Sequence, residues 1–304
     1  MSVGVMLPRD LPAAEVLPYA RRAEELGFDS LWVVEDLGFR GGVAQAGAVL
    51  AVTSRIVVGI GILPAGARNA AFAAMELATL AQLFPGRVIA GLGHGMPGWM
   101  RSVGAWPASP LTLLREYTTA VRTLLRGEPG PAAGRYVSIE GVVIAEHPDV
   151  VPPVVLGVRG PKSLAVAAET ADGVLLAEPA APAYIAACGQ HAEVITYDAA
   201  IVDADGRAAR ERARPGLAWV GEPDWAPHIA PLPFADEFAS FRARCSSREE
   251  FAATMPAEWV DSLALAGTPD EVRAKIAARH TAGATGVVLI PGAPEALDEL
   301  ARVL

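Results

Sequence analysis

A chain of 304 residues can supply one large α/β barrel or two ordinary domains. Apolar residues make up 52% of it and charged residues 19%, so a sizeable core is available and global disorder is excluded. The net charge of -9 provides no basic face for nucleic acid or for anionic membranes, and two cysteines, Cys188 and Cys245, suit neither a disulfide scaffold nor a cysteine metal site.

In chain order, residues 3–7 read as a short apolar strand stopped by Pro8. Pro12 opens a helix to residue 26, with Val16, Tyr19, Ala20, Ala23 and Leu26 on one face and Gly27 as its stop. Residues 30–34 form a second strand ending at Glu35-Asp36, and after a glycine-rich loop residues 44–52 are helical. Residues 56–62, with glycines at 59 and 61, form a third strand, and 70–84 an amphipathic helix. Pro85-Gly86 then turns the chain into a fourth strand over 88–92, apolar without alternation, as a parallel strand buried on both faces should be. Strands starting near 3, 30, 56 and 88 are one βα unit apart. Right-handed crossovers then require a parallel sheet.

A helix over 111–125 leads into residues 126–152, rich in Gly and Pro, where the segment 135–144 is expected to form a surface hairpin. The βα units resume with a strand over 153–156, the turn Gly157-Val-Arg-Gly-Pro-Lys-Ser163, a helix to Thr170, a strand over 173–176, a short helix over 182–188 and a strand over 194–202. Residues 206–219 are expected to be helical, with the arginine-rich run 207–214 on a solvated face. Residues 221–262, with prolines at 223, 227, 231 and 233, predict an irregular insertion near the active-site mouth holding one or two short helices. Thr268-Pro-Asp-Glu271 caps a helix to residue 282, residues 286–290 form the last strand, and 294–304 a closing helix. Eight such strands predict a single-domain (β/α)8 TIM barrel with insertions over residues 1–304.

In a barrel, chemistry belongs at the carboxyl ends of the strands. Gly93-His-Gly-Met-Pro-Gly98 matches the dinucleotide string G-x-G-x-x-G, but it lies in the fourth unit and contains Pro97. Its glycine density instead lets backbone approach a ligand closely. His94 is the one histidine in such a setting; His147, His191, His228 and His280 have no metal-ligand spacing, so no metal is expected. Arg159 and Lys162 flank a helix amino terminus, which suits a phosphate, a plain βα turn being the alternative. Glu35 and Asp36 can bind or move a proton, or simply cap a loop. Gly59 and Gly61 mark a bulge or a close backbone approach. No basic stretch precedes an apolar segment near Met1 and no long uncharged apolar run occurs, so a soluble cytoplasmic protein without signal peptide or membrane span is expected.

Taken in order, the stretches 23–36, 53–62, 84–95 and 160–173 resemble the bacterial luciferase-like family of flavin and deazaflavin oxidoreductases, and within it the F420-dependent branch that includes methylenetetrahydromethanopterin reductase. The resemblance implies a cofactor lying across the carboxyl ends of the strands, backed by a non-proline cis peptide bulge at Gly61-Ile62. It implies that Glu35 or Asp36 touches the ring or its proton-transfer partner. His94 and Gly95 would line the ring, and the backbone at Arg159, Gly160 and Lys162 would hold a phosphate. Coenzyme F420 is the implied cofactor, with Arg40, Arg68 or Arg159 available to its acidic tail, and hydride transfer with a small organic substrate is the implied reaction. Asp36 and His94 are the candidates for proton handling. A homodimer is implied, and a reduced-FMN monooxygenase or a non-catalytic flavin-binding homologue are the alternatives. Sugar-phosphate dehydrogenases of this kind place His beside the second-strand acid and Glu after the glycine loop; Asp36 and Met96 stand there in this chain, which argues against that activity. The substrate pocket is expected from residues 99–110 and 221–262.

Overall fold

The apolar runs extend and pair side by side, all parallel. The computed structural model describes residues 2–304. Its strands are β1 (Ser2–Met6), β2 (Ser30–Val33), β3 (Val57–Pro64), β4 (Val88–Gly93), β5 (Val154–Gly157), β6 (Gly173–Leu176), β7 (Glu193–Val202), β8 (Leu265–Gly267) and β9 (Gly286–Pro291). Strands β1 to β7 pair in sequence, and β9 pairs with both β7 and β1, which closes an eight-stranded barrel. These eight are the strands expected from the sequence. Only β8 was not foreseen: three residues, Leu265 to Gly267, pair with the far end of β7 at Ala200 to Val202.

Helices α1 (Ala13–Leu26), α2 (Gly42–Val52), α3 (Ala70–Leu83), α4 (Pro97–Ser102), α5 (Pro110–Leu125), α6 (Pro161–Thr170) and α7 (Pro182–Ala187) run between the strands up to β7. Local chemistry sets their ends. Gly27, at φ 94°, takes the left-handed conformation that stops α1. The Asn69 side chain accepts the Ala71 amide at the start of α3. Helix α8 (Gly206–Ala213) is followed by α9 (Ala226–Ile229), α10 (Ala235–Arg244), α11 (Arg248–Thr254), α12 (Ala257–Leu263), α13 (Pro269–Thr281) and α14 (Leu297–Leu300). At α13 the Thr268 hydroxyl and the Glu271 carboxylate cap each other's backbone reciprocally, as their spacing predicts.

Several expectations need correction. Residues 126–152 do leave the barrel, but 135–144 forms no hairpin. The Glu116 carboxylate of α5 accepts the amides of Arg135, Tyr136 and Val137, donors that strand pairing would need, and Val137 and Ile139 bury against the core. Helix α8 ends at Ala213 and continues only as a short 3-10 turn through Leu217, since Pro215 has no amide to donate. Its arginine run is not simply solvated: Arg210 bridges Asp261 and Glu271, and Arg214 donates to the carbonyls of Ala252 and Met255.

The core divides into three. A main shell lies between strands and helices. Inside the barrel sit Trp32, Val155, Leu175, Ile195, Tyr197 and Val288. The third cluster draws mainly on residues 206–266, joined by Ala181 and Ile201; in it Phe234 stacks on Trp259 at 5.2 Å and Phe238, Phe241 and Phe251 close around them. Four helices therefore fill the stretch in which the sequence suggested one or two.

Candidate active site

The glycines of β3 make room inside the barrel. A methyl group at Gly59 would lie 2.4 Å from the Trp32 ring, and one at Gly61 would lie 2.0 Å from the Tyr197 hydroxyl. Gly61-Ile62 is a cis peptide, as the resemblance implied, and the register of β3 with β4 shifts between Ile60 and Leu63. The Ile62 side chain lies against Gly93 and Gly157, where a side chain on either glycine would meet it at 3.1 and 2.5 Å. Small residues on three strands thus shape one smooth apolar floor.

Above that floor, at the carboxyl ends of the strands, opens a cavity of about 520 Å3. Gly61, Ile62, Leu175 and Tyr197 form its base; Leu37, Met96, Trp99, Val103 and Trp106 form its outer wall; Arg159, Ser163 and Asp224 stand on a third side. Of the residues singled out from the sequence, Glu35, Asp36, Gly61, Ile62, His94, Gly95 and Arg159 line this one cavity. Gly160 and Lys162 do not line it: Gly160, at φ 90°, precedes α6, and Lys162 is exposed on its first turn.

The two acids after β2 differ in their commitments. Glu35 accepts the Gly42 amide at 2.7 Å and two contacts from Arg68, at 2.8 and 2.9 Å, so its carboxylate ties α2 to the loop before α3. Asp36 pairs with Arg9, whose guanidinium lies over Phe39. Arg40 donates to the carbonyls of Arg9 and Leu11, and so holds that loop. His94, just beyond β4, has its Nε2 3.3 Å from the Ser163 hydroxyl, and burial holds its imidazole below the ordinary histidine range. Burial thus favours the neutral ring, which can accept a proton at one nitrogen and donate a hydrogen bond from the other.

Arg159 lies over the Trp225 ring at 4.7 Å and donates to the Asp224 carbonyl at 3.4 Å. Beside it, the amides of Lys162 and Ser163 belong to the first turn of α6 and have no helical acceptor, the arrangement that receives an anion. Two groups escaped the sequence reading. The Tyr197 hydroxyl, in the cavity base, is buried without a hydrogen-bond partner. Glu178, just after β6, is held above the usual carboxylate range by burial, which the nearby Arg159 offsets in part. A tyrosine within an apolar strand reads as core, and only barrel register turns it inward.

From residues 221–262, Asp224 alone lines the cavity, whereas Trp99, Met100, Val103 and Trp106 all do. Most of the insertion packs instead on α8 and β8.

A model of the luciferase-like monooxygenase family matches residues 1–286. The 5,10-methylenetetrahydromethanopterin reductase of Methanolobus tindarius is 29% identical over 310 residues, covering 95% of this chain and 93% of that protein. The F420-dependent glucose-6-phosphate dehydrogenase of Microbacterium testaceum is 31% identical over 173 residues, covering 53% of this chain and 52% of that one. Among solved structures, the coenzyme F420-dependent tetrahydromethanopterin reductase of Methanopyrus kandleri superimposes with a TM-score of 0.81 at 22% identity, covering 99% of this chain and 97% of that one.

Proposed function

This chain belongs to the luciferase-like monooxygenase family, and from that premise we propose that it is an F420-dependent oxidoreductase acting on a small organic substrate. The observation that carries this reading is the cavity itself. A glycine-relieved apolar floor leads to a side lined by Arg159 and by Ser163 of the first turn of α6, next to amides without a helical acceptor. Two relatives compared above are F420-dependent by name.

In this reading Gly61 and Ile62 back the ring, the Tyr197 hydroxyl supplies a polar partner at the base, and His94 and Gly95 close one side. Arg159, Gly160 and Lys162 hold the phosphate end, with Lys162 contributing its backbone amide, since its side chain is exposed. Bound deazaflavin supplies hydride chemistry, which belongs to the cofactor and not to the protein. The protein's part is positioning and proton handling. Glu35, bound by Arg68 and Gly42, shapes the wall and keeps its carboxylate occupied. Asp36, facing the cavity beside Arg9, and His94, neutral beside Ser163, are the groups that hold or move a proton at the substrate.

Fluorescence titration of the purified chain with F420 and with FMN tests the reading. F420 is expected to bind at least tenfold more tightly, and His94→Gln and Asp36→Asn to slow turnover while leaving F420 affinity within about threefold. Tighter FMN binding, with oxygen uptake on reduction, sinks the proposal.

We also read the protein as a cytoplasmic homodimer. No helix among the described residues is long and apolar enough to cross a membrane. On α3, Phe72, Met75 and Leu83 fall on one exposed face, an apolar stripe that a second copy would cover. Sedimentation should give a dimer, and Phe72→Glu with Leu83→Glu a monomer.

A further inference from the structure

The outer half of the cavity carries its own chemical preference. Leu37 and Val103 are 49% and 55% exposed, and with Met96, Trp99 and Trp106 they make an apolar wall that continues from the cavity into solvent. Lone exposed apolar side chains need no explanation, but a contiguous group rimming a concave site marks a binding surface.

Each arginine around this mouth already has at least one partner within the protein. Arg9 pairs with Asp36, Arg68 with Glu35 and Glu76, and Arg40 with two backbone carbonyls. Arg101 lies over the Trp106 ring and does not line the cavity. Among the described residues Arg159 is the one cation lining the cavity, and it stands on the side assigned above to the cofactor's phosphate. Three carboxylate residues, Glu35, Asp36 and Asp224, line the same cavity. An anionic substrate entering here would shed its hydration against apolar side chains with Arg159 as the one lining cation, already assigned to the cofactor's phosphate, which is costly. A neutral molecule with an apolar or aromatic body would lose nothing and gain contact with two indole rings.

Resting on the cofactor reading above, we infer that this enzyme takes an uncharged, largely apolar organic substrate and discriminates against phosphorylated ones. The wall of Leu37, Met96, Trp99, Val103 and Trp106 determines that choice.

Two probes with the same ring separate charge from hydrophobicity: 1-phenylethanol and phenyl phosphate, each titrated calorimetrically into the F420-loaded full-length chain. F420 affinity is measured first, from the fluorescence of the cofactor. The alcohol is expected to bind at least tenfold more tightly than the phosphate ester. Val103→Arg, an exposed position that tolerates a long side chain, should narrow that preference at least fivefold without changing F420 affinity. Equal or tighter binding of phenyl phosphate to the loaded wild-type chain overturns the inference alone. So does a Val103→Arg variant whose probe preference is unchanged, or one that loses F420 in place of the alcohol. Failure to bind F420 at all overturns the cofactor reading and this inference with it.

Discussion

The floor and the mouth of the cavity are built on opposite principles. The floor is a packed barrel interior, where Gly59, Gly61, Gly93 and Gly157 leave room only for Trp32, Tyr197 and Ile62. The mouth is made by loop and short-helix residues whose large apolar side chains stay partly in water. Interiors near crystal density tolerate no added atom, whereas a half-solvated wall changes composition at little cost to folding. A barrel of this kind can therefore keep one cofactor seat while its rim is altered for different substrates.

Substitutions should reproduce that gradient. The largest effect is expected at the floor: Gly59→Val drives a side chain into the buried Trp32 ring, 2.4 Å from the new Cβ, and should cost about 3 kcal/mol or more in chemical denaturation. Acid should act nearly as strongly through a histidine buried outside the cavity, in α9. His228 is fully buried, its Nδ1 3.1 Å from the Pro179 carbonyl, and burial holds its imidazole at about 4. The unfolded chain binds that proton first as pH falls below about 6.5, so stability is present above that value and is lost toward pH 4. One site contributes about 3 kcal/mol to that loss, read by comparing denaturation at pH 7 and pH 4, with a histidine NMR titration assigning it. His94, held down in the same direction, should add to the slope.

Breaking the tie between α2 and the loop before α3 comes next. Glu35→Ala leaves Arg68, one of whose terminal nitrogens is already unpartnered, with only the longer Glu76 contact, and strands the Gly42 amide. It should cost about 2 kcal/mol. At Gly61 the test is a coupling. Gly61→Ala should destabilise the protein, while Tyr197→Phe alone should cost little, since its hydroxyl has no partner to lose. Because that hydroxyl is the nearest obstacle to the new methyl group, the double variant should recover about 1 kcal/mol relative to additivity. Strict additivity would mean that the floor gives way elsewhere, for example at Leu175. The smallest effect belongs to the mouth: Val103→Ser should leave the unfolding free energy within about 0.5 kcal/mol. A larger loss there would erase the contrast between the two regions.

Legibility followed the same divide. The eight barrel strands could be read because a parallel strand covered on both faces must be apolar throughout, and 88–92 and 286–290 are short unbroken apolar runs preceded by glycine-containing turns. Strand β8 could not be read, since three residues carry no periodicity and its partner lies more than 60 positions earlier. The segment 135–144 has the composition of a hairpin, but a distant carboxylate, that of Glu116, claims its amides. Within the site, the residues at strand ends were legible by position: Glu35, Asp36, His94 and Arg159. Tyr197 was not, because nothing local separates a tyrosine pointing into the barrel from one pointing out.

What the amino-acid order determined by itself was the alternation of apolar strands with helices, eight strands of the kind a parallel barrel uses, and the clustering of polar residues with glycines where strands stop. Those are local properties, set by side-chain sterics and by burial on both faces of each strand. Only the tertiary structure decided what each of those residues does. It committed Glu35 to Arg68 and left His94 neutral beside Ser163. It also spent the cations of the mouth on internal partners and left an apolar wall facing the substrate. Such pairings depend on which loops the barrel brings together across 30 to 70 positions of chain, and no local pattern encodes that juxtaposition.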